Sequence, residues 1–190
     1  MVFEDRTEWP RVDEYNLLFS GASHVRAPVV TFELQAPRGR RAPRLERYDA
    51  AIVLRHVVPT RSRSWHDYLN ALVWASFPIA KTALHKRQHE AIEKWVLPGA
   101  TQLPNARTRE LDALALVDEG GILQLRDGKW VFGHALFEGV VLDNRAMIAR
   151  TVPLDAGADE ADEALAEFIT TRLADPNDLP RAPAIQPSFR

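Results

Sequence analysis

The sequence predicts an α+β fold: a mostly antiparallel sheet, a helix pair kinked at Pro78 and a C-terminal amphipathic helix. Three observations carry this. Strand-like and helix-like segments cluster separately along the chain, whereas a wound parallel sheet needs them to alternate strictly. Gly120-Gly121 and Asp127-Gly128 stand between short apolar runs, where hairpin turns belong. Residues 159–174 place apolar side chains at 161, 164, 165, 168, 169 and 173, the period of a helix with one buried face, and acids crowd its first turns.

In chain order, 13–19 reads as a helix and 29–34 and 50–58 as strands. Ser64 opens a helix over 64–76 and Asp67, three residues on, is placed to complete a capping box. Pro78 removes a backbone donor and crowds the preceding turn, so the chain bends there before a second helix over 78–97. Strands follow at 113–117, 122–125 and 130–132, then a helix at 134–142 and a strand at 147–152. Residues 1–175 read as one domain. Pro176, Pro180, Pro183 and Pro187 mark 176–190 as an extended tail.

Composition excludes several classes. With 46% apolar residues in 190, the chain is long enough for one sizeable core. The absence of cysteine removes disulfides, thiolate metal sites and a cysteine nucleophile. The balance of 24 basic to 26 acidic residues is too even to drive binding to nucleic acid or membrane by overall charge. The acidic N-terminus lacks a secretory pattern and the longest apolar stretch, 71–80, is too short to span a bilayer, so a cytoplasmic, non-membrane protein is expected. Charge is nonetheless uneven. Eight arginines against two acids fill 38–63, and Arg38, Arg40, Arg41, Arg44 and Arg47 lie in a Pro/Gly-rich stretch. This segment either contacts nucleic acid or a phosphorylated substrate, or is a solvated loop facing the acidic C-terminal helix. No G-x-G-x-x-G, P-loop or G-x-S-x-G pattern is present.

Polar residues in apolar surroundings are the candidates for chemistry. His66 and Asn70 lie four apart on a helix that is otherwise apolar almost all round. An unpartnered buried polar group costs about 1–3 kcal/mol, so each needs a partner or a ligand. His66 is either a satisfied structural histidine or a base or metal ligand. At 100° per residue, His66, Asn70, Trp74, Lys81 and His85 form one stripe across the kink, and a sharp bend would bring its two halves onto a cleft. His85 and His89 have a metal-compatible spacing but polar neighbours. Asp118 and Glu119 precede Gly120-Gly121, either as turn formers or as ligands at a strand end. His134 and Glu138, four apart after Gly133, read as a local pair or as an imidazole with its orienting carboxylate.

Trp65-His-Asp-Tyr-Leu-Asn-Ala-Leu-Val-Trp-Ala-Ser-Phe-Pro-Ile-Ala-Lys81, the run Asp-Ala-Leu-Ala-Leu-Val-Asp-Glu-Gly-Gly from Asp112, and Phe132-Gly-His-Ala-Leu-Phe-Glu138 together resemble the bacterial domain of unknown function 3025, over roughly residues 48–145. Leu111, Ala115 and Phe137 depart from its pattern, which has Arg, Thr and Tyr there. The resemblance brings no established activity. It implies that His66, Asp67, Asn70, Asp118, Glu119, His134 and Glu138 form a signature. A second likeness joins His56, a loop and Asn70-Ala-Leu-Val-Trp74 to the metal finger of HNH endonucleases, with His85 as the second ligand.

These features support a metal-dependent hydrolase acting on phosphodiesters. His66, Asp67, Asn70, His134 and Glu138 would be catalytic, and His66, Asp118, Glu119 and His134 would bind a divalent metal. Arg61, Trp74 and Lys81 would contact substrate. Two alternatives stand beside it. One is a non-catalytic module for protein or nucleic acid, in which the His/Asn stripe is a structural hydrogen-bond network. The other is a small-molecule site walled by Trp65 and Trp74.

Overall fold

In the computed structural model, residues 8–20, 30–35, 47–96, 107–142 and 148–182 are described. A 3-10 helix (Val12–Phe19) leads into β1 (Thr31–Leu34), α1 (Tyr48–Arg55), β2 (Val57–Thr60), α2 (Trp65–Ser76) and α3 (Pro78–Trp95). Then come α4 (Arg109–Gly120), β3 (Gly121–Gln124), β4 (Lys129–Val131), α5 (His134–Val141), β5 (Arg150–Pro153) and α6 (Ala161–Thr171). The class is α+β, but the sheet is not mostly antiparallel. β1 pairs with β2 in parallel, and β3 lies between an antiparallel β4 and a parallel β5. The connections from β1 to β2 and from β3 to β5 pass through helices, the long crossovers that parallel pairing requires.

Two segments expected as strands are helical. The run Ala-Ala-Ile-Val-Leu is apolar without a period, so pattern alone does not separate strand from helix. It becomes α1, whose buried Ala50 and Ala51 are small enough to let it lie against α3. α1 ends at His56, which takes a left-handed conformation at φ 56° and returns its N–H to Ala51 and Ile52. Residues 113–117 alternate as a strand would, yet the same positions align Leu111, Leu114, Val117 and Asp118 on one helix face. Thr108, whose hydroxyl accepts from Leu111 N at 3.2 Å, caps that helix and marks its start in the sequence. Gly120-Gly121 is therefore a helix-to-strand junction. Asp127-Gly128 does make the hairpin between β3 and β4, closed by Leu125 N donating to Gly128 O at 2.9 Å.

Two large apolar clusters result, beside a small one of Ala91, Ile92, Val96 and Leu111. One joins the 3-10 helix, β1, β2, α1 and α2 through Tyr15, Phe32, Ile52, Val58 and Trp74. The other joins α2, α3, α4, β3, β5 and α6 around Leu84, Leu114, Leu123, Phe132 and Leu165, and takes in Leu179 beyond a short 3-10 turn at Pro176–Asp178. α2 contributes to both. Phe77 leaves helical conformation at φ −134°, ψ 58°, and α3 restarts at Pro78. Eleven residues of straight helix span about 16 Å, beyond the joint reach of an Asn and a Lys. Lys81 Nζ nevertheless meets Asn70 Oδ1 at 2.8 Å, so the bend is sharp. Asp162 of α6 accepts the freed N–H groups of Ile79 and Ala80 at 3.0 and 2.7 Å, a carboxylate at a helix N-terminus.

The start of α5 crosses the end of α4 at Gly133. A Cβ there would stand 2.5 Å from the backbone nitrogens of Gly120 and Gly121 and 2.6 Å from the Glu119 carbonyl. Only glycine permits this approach, which sets His134 beside Asp118 and Glu119. Gly133→Ala is expected to lower stability by about 3 kcal/mol through backbone overpacking, read as a lower urea midpoint. Gly157→Ala, whose Cβ would meet nothing closer than 3.8 Å, should stay within about 0.5 kcal/mol of wild type.

Candidate functional site

Ser64 caps α2, accepting from Asp67 N at 3.3 Å. The Asp67 carboxylate does not return to Ser64. It accepts from Arg61 N at 2.5 Å and grips the Arg61 guanidinium through Nη2 at 2.6 Å and Nε at 3.0 Å. Burial works to raise the Asp67 carboxyl, but these bonds from Arg61 outweigh it and hold it below the usual carboxylate range.

Deeper in, the polar half of the stripe satisfies itself. Lys81 is fully buried, and its ammonium donates to Asp118 Oδ1 at 2.5 Å and to Asn70 Oδ1 at 2.8 Å. Asn70 Nδ2 donates to the Tyr48 hydroxyl at 3.0 Å. The ammonium lies 5.5 Å from the Trp74 ring and 5.9 Å from the Phe132 ring, one from each large apolar cluster. Burial pushes the Asp118 carboxyl up, yet the Lys81 ammonium, then His134 and His85, take it far below the usual range.

The second half of the signature meets beside this network. His66 Nδ1 donates to Glu138 Oε2 at 3.0 Å, which turns its Nε2 toward His134 Nε2, 3.1 Å away. Glu119 Oε2 stands 3.5 Å from the same His134 nitrogen. One ligand atom from each of His66, Glu119 and His134 falls within 4.8 Å of the others. Two ligands at 2.0–2.1 Å from a tetrahedral ion lie roughly 3.3 Å apart, close to the 3.1 and 3.5 Å separations of His66 and Glu119 from His134. Burial takes the His134 imidazole down to about 4, against an opposing pull from Asp118, so it is neutral at pH 7. Its Nδ1 is buried without a hydrogen bond and faces Asp118, whose carboxylate is 3.9 Å away. A proton on Nδ1 suits Asp118 but opposes two bare Nε2 lone pairs. A proton on Nε2 would bond His66 but leave a buried lone pair against a carboxylate. A cation shared by the two Nε2 atoms removes the conflict. Burial, then the Asp118 charge, raises the Glu119 carboxyl, a further repulsion that a cation would relieve.

His66, Glu119 and His134 line a cleft of about 460 Å³ that also includes Gln35, Tyr48, Arg61, His85 and Gln88. The structure thus gathers His66, Glu119, His134 and Glu138. Asp118, Asn70 and Lys81 instead form the buried network behind them, and Asp67 serves Arg61. Trp74 is fully buried and stacks on His85 with ring centres 5.3 Å apart, so no substrate reaches it, and it forms no wall with Trp65, which packs on Trp9. His85 and His89 diverge to Gln88 and Asp49. His56 is an exposed helix cap with no strand before it, which rules out the HNH-like finger. Of the arginines at 38–47, all but Arg47 lie outside the described residues; Arg47 approaches Asp49 at 3.7 Å. Tyr48, Gln35 and Gln88 had no spacing signal because they come from separate elements. A larger cleft, about 820 Å³, runs along the opposite face of α3 against α6; its lining holds no histidine and its Arg87 is paired with Glu110.

Removing one member of a buried ion pair leaves the other uncompensated. Lys81→Met should therefore lose about 3–5 kcal/mol in urea unfolding, and adding Asp118→Leu should recover most of it. Burial, reinforced by the Lys81 ammonium, takes the His85 imidazole down to about 4. An unfolded histidine titrates near 6.5, so between these values the unfolded chain binds the extra proton and acid favours unfolding. Stability should fall as pH drops from about 6.5 to about 4, by up to about 1.4 kcal/mol per pH unit for each such histidine. His85→Phe should flatten that slope, and an unchanged slope would contradict the assignment.

The family model described as protein of unknown function (DUF3025) matches residues 36–131, half of the chain. The matched span carries His66, Asp67, Asn70, Lys81, Asp118 and Glu119 and ends just before the Phe132–Glu138 motif. No curated protein and no solved structure matches the chain. With half its length matched, including five elements that build the cleft, the chain belongs to the DUF3025 family of proteins of unknown function.

Proposed function

We propose that this protein is a divalent-metal-dependent hydrolase acting on phosphodiesters, with His66, His134 and Glu119 as ligands. One observation carries the reading: two imidazole Nε2 atoms 3.1 Å apart beside a carboxylate, each ring with its other nitrogen turned to an acid. Two imidazoles and a carboxylate suit zinc, manganese or iron and leave coordination positions open. A bound ion supplies a water of lowered pKa. Glu138 fixes the His66 ring, and the side chains of His66 and Glu119, 31% and 50% exposed, keep this edge of the site accessible. Arg61, oriented by Asp67 through Nε and Nη2, offers its remaining edge to a phosphoryl oxygen. In the sequence, Arg38, Arg40, Arg41 and Arg44 favour the same substrate class.

A second reading, a non-catalytic binding module, draws on the completed Tyr48–Asn70–Lys81–Asp118 network, which is what a purely structural stripe would look like. The test is thermal unfolding of chelator-treated protein with Zn²⁺, Mn²⁺ or Fe²⁺, followed by hydrolysis of bis(p-nitrophenyl) phosphate. An ion at 100 times its dissociation constant should add about 2.7 kcal/mol, roughly 5–10 °C. His66→Ala and Glu119→Gln should lose both the shift and the turnover. Wild type unmoved by every ion would sink the metal reading and leave the binding module.

A further inference from the structure

We propose that the α1–α3 end of the cleft is a neutral hydrogen-bonding subsite, formed by His85, Gln88, Tyr48 and Gln35, that takes the base-like heterocycle of a small nucleotide. It deepens the hydrolase reading by naming what carries the phosphodiester, and it rests on that reading only for the phosphodiester itself.

His85 is 2% exposed, lines the cleft, and has an Nε2 with no hydrogen-bond partner. Its Nδ1 lies 2.9 Å from Gln88 Oε1, an acceptor, so Nδ1 carries the proton and Nε2 is a bare acceptor. Such a buried lone pair is unfavourable unless a donor reaches it. Tyr48 completes the pattern from the facing helix. Its hydroxyl accepts from Asn70 at 3.0 Å, and its own proton meets no acceptor among the described residues. Burial, then Asp118, holds the phenol well above its usual range, so it remains a donor. The amides of Gln88 and Gln35 add two further neutral donor–acceptor groups.

The chemistry of this end is therefore uncharged. A charged group would lose its hydration there, and the nearby Lys81 and Asp118 charges are already paired with each other, whereas a flat heterocycle presenting adjacent donors and acceptors would fit. At about 460 Å³, the cleft falls within the roughly 300–1,000 Å³ of small-molecule sites and suits a mononucleotide-sized ligand rather than a stretch of polymer. The imidazole pair at the other end would then hold the phosphoryl group.

The experiment is calorimetric titration of the full chain, metal-free and Mn²⁺-loaded, with adenosine, guanosine, cytidine and uridine, and with ribose as the control. At least one nucleoside should bind tenfold or more tighter than ribose with or without Mn²⁺. Gln88→Leu and His85→Phe, which keeps the stack on Trp74, should each weaken it about tenfold while leaving Mn²⁺ affinity unchanged. No preference over ribose, or a preference that both variants retain, overturns the subsite even if Mn²⁺ binds. A preference that survives while no metal binds supports the subsite and removes the hydrolase reading instead.

Discussion

The Lys81 ammonium, fully buried between Asp118 and Asn70, is the interaction on which the rest of the structure depends. It sits where the two large apolar clusters meet, between the Trp74 and Phe132 rings, and ties α2, α3 and α4 at one atom. A buried ion pair is seldom the most stable filling for such a place, because desolvating two charges offsets most of their attraction. What the pair secures is geometry. Asn70 can reach Lys81 only if the helices turn at Phe77, and Asp118, held by the ammonium, faces His134. The bend, the ion pair and the imidazole pair form one mechanical unit.

The chemistry then follows from the crossing of α4 and α5. Backbone contact at Gly133 brings two consecutive acids against His134, and they divide the work. Asp118 turns inward to Lys81 and the Nδ1 side of the ring, while Glu119 turns outward to the Nε2 side. Glu138, one turn into α5, accepts from His66 Nδ1 at 3.0 Å, while the Asp118 carboxylate stands 3.9 Å behind His134 Nδ1 without a hydrogen bond. Each ring thus has an acid behind it, and both nitrogens in front converge. Such crowding of lone pairs and carboxylate is unfavourable by itself, and it is the arrangement a divalent cation resolves.

Much of the helical framework was legible in the sequence. Ser64, Pro78 and the 3.6-residue period of 161–173 mark helix starts and faces through local physics, and they hold in the structure. α1 and α4 are ambiguous in sequence for a local reason too: an unbroken apolar run and an alternating one fit either period. Only the packing of Ala50 and Ala51 on α3, and the Thr108 cap, decide between them. The parallel pairings were hidden because each depends on a crossover connection, a non-local feature.

The sequence by itself determined which side chains matter, since polar groups set in apolar helices must find partners whatever the fold. It placed His66, Asp67, Asn70, Lys81, Asp118, Glu119, His134 and Glu138 in that set, together with Arg61 and with Trp74, which is fully buried. Tertiary structure alone decided who partners whom. His66 and Asn70 share a helix face, yet one meets Glu138 and His134 from α5 and the other meets Lys81 and Tyr48. Hydrogen bonds act over about 3 Å, and helical spacing fixes distances only within one helix. The angle at Phe77 and the glycine contact at Gly133 set every distance between helices, and with them the division into a structural network and a candidate metal site.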